Sequence, residues 1–210
     1  MRIGVIGAGR IGGNLAQLLT WAGHEVVISY ARDAGELAAR AAEFGCRAGS
    51  VAGAAAFGEV VVLSVPWRNI DAVLAEAGSL AGKIVIDTTN HFTQAGLADL
   101  QGVTAAQVNQ ARMPGARLVK AYNTLTAQFQ ASTAGRTGPD RVVMFLCGDD
   151  EPAKAVVSGL ITETGFTPFD IGGLADGAVM EAPRRPGAVY GEEFSETGAR
   201  RFFDGQRSAG

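Results

Sequence analysis

Met1-Arg2-Ile3-Gly4-Val5-Ile6-Gly7-Ala8-Gly9-Arg10-Ile11-Gly12 opens the chain and decides how the rest is read. A short apolar run leads into three glycines spaced GxGxxG, after which Ile11, Leu15, Leu18 and Leu19 recur at helical spacing. Each glycine has its own task in such a turn. Gly7 lets the chain turn tightly off a strand, Gly9 removes the side chain where backbone must approach a pyrophosphate, and Gly12 lets helix and strand pack closely. The helix N-terminus then faces the phosphates with unpaired N–H groups and the positive end of its dipole. In a chain with 29 glycines the spacing alone decides little. Its weight comes from the strand before it, the helix after it, and a second strand, Glu25-Val26-Val27-Ile28-Ser29, at the distance a βαβ unit needs. Gly7, Gly9, Arg10, Ile11 and Gly12 are therefore expected at a bound dinucleotide.

Outward from this turn the alternation continues. Val60-Val61-Val62-Leu63-Ser64-Val65 is a β-branched run of the kind buried on both faces of a parallel sheet, and Pro66-Trp67 halts it. Lys83-Ile84-Val85-Ile86-Asp87 reads as a fifth strand closing in Thr88-Thr89-Asn90-His91, with helices expected over residues 36–44, 51–57 and 69–76. Beyond residue 100 a helix over 103–113, strands over 117–122, 141–147 and 166–171, and a helix reaching about residue 163 follow. The pattern predicts an α/β fold: a doubly wound, mainly parallel sheet with helices on both faces and ligand at the carboxyl ends of the strands. Residues 1–180 are expected to form the dinucleotide-binding unit. Residues 181–210 are read as part of the same domain, with an exposed excursion over 181–186 and a closing helix capped by Ser195 and ended by Gly205.

Composition narrows the function. A hydrophobic content of 47% against 19% charged residues excludes general disorder, and 210 residues suit one well-filled α/β domain. A net charge of −3 gives no reason to expect nucleic acid or an anionic membrane as partner. No apolar run approaches the roughly 18 residues a bilayer requires, and no signal-peptide layout is present, so a cytoplasmic location is expected. Cys46 and Cys147 lie apart without metal-ligand spacing and read as reduced apolar fillers. With two histidines and neither a Ser-His-Asp nor a metal-ligand constellation, hydrolase and metalloenzyme chemistry are disfavoured, and no metal is expected.

The tip of strand two bears on which dinucleotide binds. NAD-binding versions place Asp or Glu there to accept from the ribose 2′-hydroxyl, a carboxylate that repels a 2′-phosphate. Here the tip reads Ile28-Ser29-Tyr30-Ala31-Arg32. A guanidinium at Arg32 and a hydroxyl at Ser29 suit the 2′-phosphate of NADP(H), although Asp33 follows and is able to neutralise Arg32.

The opening through Gly13-Asn14, then Ala22-Gly23-His24-Glu25-Val26, Ser64-Val65-Pro66-Trp67, Val85-Ile86-Asp87-Thr88-Thr89-Asn90, Val119-Lys120-Ala121-Tyr122-Asn123-Thr124 and Asp170-Ile171-Gly172-Gly173-Leu174 follow one another in a recognisable order. Together, from about residue 1 to 175, they resemble the NADP oxidoreductases related to NADPH-dependent coenzyme F₄₂₀ reductase. The resemblance implies a compact Rossmann-type reductase passing hydride between NADP(H) and a planar small-molecule acceptor such as a deazaflavin (coenzyme F₄₂₀) or a flavin. It also implies that Ser29 and Arg32 hold the 2′-phosphate, with Tyr30-Ala31 replacing a more polar pair, and family habit points to a homodimer. The segment from Pro183 onward matches least.

Hydride transfer between two bound rings needs alignment more than a nucleophile or a general acid. The loops after the later strands therefore carry the remaining site residues: Ser64, Val65, Pro66, Trp67, Thr89, Asn90 and Asn123 are expected at the cofactor, with Pro66 and Trp67 walling it. His91 is the one candidate proton donor there, against a reading as a solvated loop histidine. Lys120 receives no catalytic role. Two other readings stand beside this one: an imine, pyrroline or hydroxyacid reductase, and a non-catalytic NADP(H)-binding sensor.

Overall fold

A computed structural model describes residues 1–30 and 33–208. Strands β1 (Arg2–Ile6), β2 (Glu25–Ser29), β3 (Arg47–Ala48), β4 (Val60–Leu63) and β5 (Ile84–Asp87) alternate with helices α1 (Arg10–Trp21), α2 (Ala34–Phe44), α3 (Val51–Phe57) and α4 (Ile70–Ala77). A two-residue hairpin, β6 (Phe92–Thr93) with β7 (Gly96–Leu97), precedes α5 (Ala105–Arg112). Then come β8 (Arg117–Ala121), α6 (Ala127–Thr133), β9 (Val143–Gly148), α7 (Glu151–Glu163), β10 (Thr167–Asp170) and α8 (Glu196–Ser208).

Among the described residues, eight strands form one sheet in the order β10-β9-β8-β5-β4-β1-β2-β3. All neighbours run parallel except β8 with β9. The carboxyl ends of β1, β2, β4, β5 and β8 thus share one edge. The expected doubly wound, mainly parallel sheet is the observed one.

Period-two alternation explains why both faces are covered. Val60 and Val62 of β4 belong to one apolar core with Leu15 and Leu19 of α1 and Val157 of α7, while Val61 and Leu63 belong to a second core with Ile70 and Val73 of α4. On the second face, α8 lays Phe203 on Phe169 of β10, ring centroids 5.4 Å apart.

Several expectations are corrected by packing. Helix α6 and the β6–β7 hairpin were not anticipated, because α6 carries a single large apolar residue, Phe129, and a two-residue strand shows no period. Gly205 does not end α8, which continues to Ser208. A mid-helix glycine costs about 1 kcal/mol, and the Phe202 and Phe203 contacts just before it hold the helix in place. Ser195 does accept from Gly198 N–H at 3.2 Å, as a cap should. The stretch 181–186 is exposed only from Pro183 on. Glu181 and Ala182 are buried.

Candidate functional site

The turn after β1 is built from backbone. Gly7 has φ +113°, and a Cβ there would lie 2.1 Å from the Ser64 carbonyl oxygen; one on Gly12 would lie 1.9 Å from the Gly7 carbonyl oxygen. Neither position tolerates a side chain. A Cβ on Gly9, in contrast, meets nothing within 4 Å among the described residues. The loop is tied to β2 by Gly7 N–H donating to Ser29 O (2.9 Å) and Ala8 N–H to Tyr30 O (3.2 Å). Arg40 of α2 steadies it from the other side, donating Nη1–H to Ala8 O at 2.9 Å while pairing with Glu36.

Helix α1 has Gly9 as its N-cap, with no side-chain cap among the described residues and no acid in its first turn. By comparison, Asp33, Ser50, Thr104, Thr126 and Asp150 cap α2, α3, α5, α6 and α7. The first N–H groups of α1 are left open to an anion, and the space before Gly9 admits one. A pyrophosphate fits this end.

From Arg10 and Ile11 a cleft of about 790 Å³ extends past Thr88 and Asn90, after β5, to Asn123 and Thr124, after β8. Arg184, Tyr190 and Gly191 close its far side, with Gly191 N–H donating to Thr124 O at 2.8 Å. Asn90 and Asn123 hold each other: Asn90 Nδ2 donates to Asn123 O (3.0 Å) and Asn123 Nδ2 to Asn90 Oδ1 (3.3 Å). Both also grip the excursion. Asn123 Nδ2 donates to Met180 O at 2.7 Å, and Ala182 N–H donates to Asn90 Oδ1 at 3.3 Å. Asn123 Oδ1 and Thr124 Oγ1 are buried without a partner among the described residues, which leaves them for a ligand.

The sharp exit from β8 is made by Tyr122, a non-glycine residue at φ +60°. That backbone region is disfavoured for a bulky residue and persists only when neighbours fix it. Here Tyr122 is fully buried, its hydroxyl hydrogen-bonds Thr164 Oγ1 at 2.8 Å, and its carbonyl accepts from Gln130 Nε2 at 3.0 Å. Burial raises the phenol pKa well above its ordinary value, so Tyr122 stays neutral.

Of the expected residues, Arg10, Ile11, Asn90 and Asn123 line one cleft, and Gly7, Gly9 and Gly12 form the turn that leads to its Arg10 end. Other expected residues are placed elsewhere. Ser29 is fully buried with its hydroxyl donating to Val5 O at 3.1 Å, which spends the donor expected at a 2′-phosphate inside the sheet. Arg32 lies outside the described residues. Thr89 points inward, its hydroxyl accepting from Asn109 Nδ2 at 3.1 Å, and Thr88 takes the cleft position instead. Trp67 is a core residue rather than a cofactor wall: 8% exposed, edge-on to His91 at 6.2 Å, with the Arg112 guanidinium 4.4 Å above its ring. Ser64 and Val65 pack against the glycine turn from behind, and Pro66 is exposed outside the cleft lining.

His91 is neither a solvated loop residue nor a cleft residue. It is buried and lines a separate cavity of about 510 Å³ with Leu97, Gln107 and Glu181. Its Nδ1 has no partner among the described residues. Burial lowers its pKa, opposed by the Glu181 carboxylate, so the ring is neutral at pH 7.

A buried ionic cluster beneath the cleft went unanticipated. Asp87 and Lys120 are register partners on β5 and β8, both fully buried, and Lys120 Nζ lies 3.3 Å from Asp87 Oδ2 and 3.7 Å from Glu181 Oε1. The available signal was a lysine between Val119 and Ala121, in the part of β8 that is otherwise apolar after Arg117. Cys147 pairs with Lys120 from β9, and burial pushes its thiol up to about 12, which leaves it unreactive. Among the described residues no group of three or more His, Cys, Asp or Glu is arranged to hold a metal ion.

The family profile described as NADP oxidoreductase, coenzyme F₄₂₀-dependent, matches residues 2–91. A hypothetical protein from Sinorhizobium meliloti is 30% identical, with a TM-score of 0.83 over 93% of this chain and 96% of that one. A candidate F₄₂₀-dependent NADP reductase from an Arthrobacter species is also 30% identical, with a TM-score of 0.72 over 83% of this chain and 86% of that one. Metalloreductase STEAP3 from Rattus norvegicus is 31% identical over 184 residues, 86% of this chain. The chain spans only 36% of that relative's length.

Proposed function

We propose, from this chain's membership of the family of coenzyme F₄₂₀-dependent NADP oxidoreductases, that it acts as an NADP-dependent oxidoreductase, and we assign where NADP(H) lies and what receives its hydride. The observation that carries the reading is the uncapped start of α1 at Gly9, opening directly into the cleft lined by Arg10, Ile11, Asn90 and Asn123. The pyrophosphate lies on the N–H groups after Gly9, and Gly7 and Gly12 keep the turn closed behind it. The adenine ribose lies at the end of β2, where Arg32 is the proposed partner of a 2′-phosphate and the Asp33 carboxylate is engaged in capping α2, accepting from Glu36 N–H at 2.9 Å. The nicotinamide lies on the opposite side of β1, at Asn90, Asn123 and Thr124.

When bound, NADPH supplies a hydride. The chain's own residues bind and align: Asn123 Oδ1 accepts from the carboxamide or ribose, Thr124 Oγ1 adds a hydroxyl, and Ile11 keeps water from the ring. None of them moves a proton, and Tyr122 is too deeply buried to do so. The acceptor is a planar flavin or deazaflavin seated between the nicotinamide and the excursion, against Arg184 and Tyr190. Residues 181–210 belong to the same unit as 1–180, because they complete this wall. A cytoplasmic homodimer is the proposed setting.

The test is an acceptor screen that follows NADPH absorbance with riboflavin, FMN, a deazaflavin, a quinone, an imine and a ferric chelate. Oxidation with flavin or deazaflavin is the expected result. Turnover with the imine alone would replace the acceptor class, and tight NADPH binding without turnover of any acceptor would point to a sensor.

A further inference from the structure

We propose that Glu181 is a positioning residue for the nicotinamide end of the cleft, acting through Asn90 and Asn123; the inference rests on reading that cleft as the NADP(H) site. Its backbone neighbours are the two groups that hold the asparagines. Met180 O accepts from Asn123 Nδ2 at 2.7 Å, and Ala182 N–H donates to Asn90 Oδ1 at 3.3 Å. Residues 181–182 belong to neither helix nor strand, so the place of these two contacts depends on what anchors the residue between them.

Glu181 N–H donates to Ala178 O at 3.2 Å and Arg185 Nη1 to Glu181 O at 2.8 Å, but the tie from this segment to α5 and the sheet is the Glu181 side chain. Its Oε2 accepts from Ala105 N–H at 2.9 Å and its Oε1 from Ala106 N–H at 3.0 Å, which fixes the carboxylate on the first turn of α5. Lys120 Nζ stands 3.7 Å from Oε1. The same ammonium donates to Thr89 O at 2.9 Å and to Asp87 Oδ2 at 3.3 Å, so it also holds the residue before Asn90. Two carboxylates face one ammonium, and the positive end of α5 balances the second. A buried carboxylate is sustained only by donors this well placed.

The arrangement has a direct consequence for the ligand. Asn123 Oδ1 has no partner among the described residues, so its direction is set by what its Nδ2 holds, Met180 O and Asn90 Oδ1. Moving residues 180–182 turns that oxygen away from the ligand while leaving the glycine turn untouched.

Glu181→Gln tests this. The amide keeps the shape, faces one α5 N–H with an NH₂ group and withdraws the charge opposite Lys120. Calorimetric titration with NADP⁺ and with 2′-phospho-ADP-ribose, which lacks nicotinamide, separates the two ends of the site. NADP⁺ binding is expected to weaken about tenfold, with the fragment's dissociation constant changed by less than about twofold. In the ligand-free protein, amide exchange should accelerate over residues 88–92, 121–125 and 178–191 and stay unchanged in β1 and β2. Should the glutamine variant fail to fold, Glu181→Asp retains the charge but shortens its reach, and the same selective loss is expected. Equal losses for both compounds, or unchanged exchange at 88–92 and 121–125, overturn the proposal alone. A wild-type protein that binds neither compound sinks the cofactor reading and the proposal with it.

Discussion

On one side of the cleft, Gly7, Gly9 and Gly12 offer a ligand nothing but backbone, braced by β2 and by the Ser64 carbonyl. On the other side, Asn90, Asn123 and Thr124 offer side chains, and the asparagines are held by partners 33, 57 and 92 residues away in sequence. The first wall is a local object: its three glycines and the apolar strand before them fall within twelve consecutive residues. The second exists only after β5, β8 and residues 180–182 have met. A change in the first wall should therefore remove binding at once, whereas a change in the second should misalign what is bound.

The sharpest way to break this contrast is Gly9→Val. Because the position faces open space, the variant is expected to fold with an unchanged melting temperature yet lose NADPH affinity by at least about a hundredfold. Retained affinity would make the glycine turn merely structural. Trp67→Ala probes a residue that the sequence placed on the cofactor and the structure places in the core. It should cost about 3 kcal/mol in denaturant unfolding, with NADPH affinity intact at temperatures where the protein is folded. Lost affinity at unchanged stability would return Trp67 to the cofactor wall.

Smaller effects sharpen the backbone side. The wild type should bind NADPH at least about tenfold more tightly than NADH, and Arg32→Ala should erase that preference by weakening NADPH alone. Equal losses for both dinucleotides would indicate damage to the fold. The smallest expected effect is a pH dependence from His91. Burial lowers its folded pKa below the unfolded value of about 6.5, so on acidification the unfolded chain takes up a proton that the folded protein resists. Its contribution to stability is complete above about pH 6.5 and is lost as pH falls toward the folded pKa. His91→Gln should flatten the stability profile across that window, and an unchanged slope would show that the ring titrates freely.

Much of the fold was legible because its signals are short-range. The run from Arg2 to Ile6, the GxGxxG turn and the β-branched run ending at Leu63 each declare an element within a few residues. So does Asp150, whose carboxylate caps α7 through Ala153 N–H and is held at about 2, chiefly by the Arg117 side chain. Hairpin β6–β7 and helix α6 were not legible, because they are stabilised by what they lie against more than by their own pattern. The site divides in the same way. The glycine turn was readable to the residue, while Ser29 and Thr89 carry the right chemistry but turn their hydroxyls into the protein.

By itself, the sequence determined the doubly wound sheet, the turn at Gly7, Gly9 and Gly12, and which loops reach the carboxyl edge, because hydrophobic period and glycine spacing act over a single turn of chain. Tertiary structure alone decided that Thr88 rather than Thr89 faces the cleft, that Trp67 and His91 do not, and that Glu181 reaches back to Lys120 and α5. The physical reason is burial: a charge or an amide takes its direction from the donors around it, and here those donors come from distant parts of the chain.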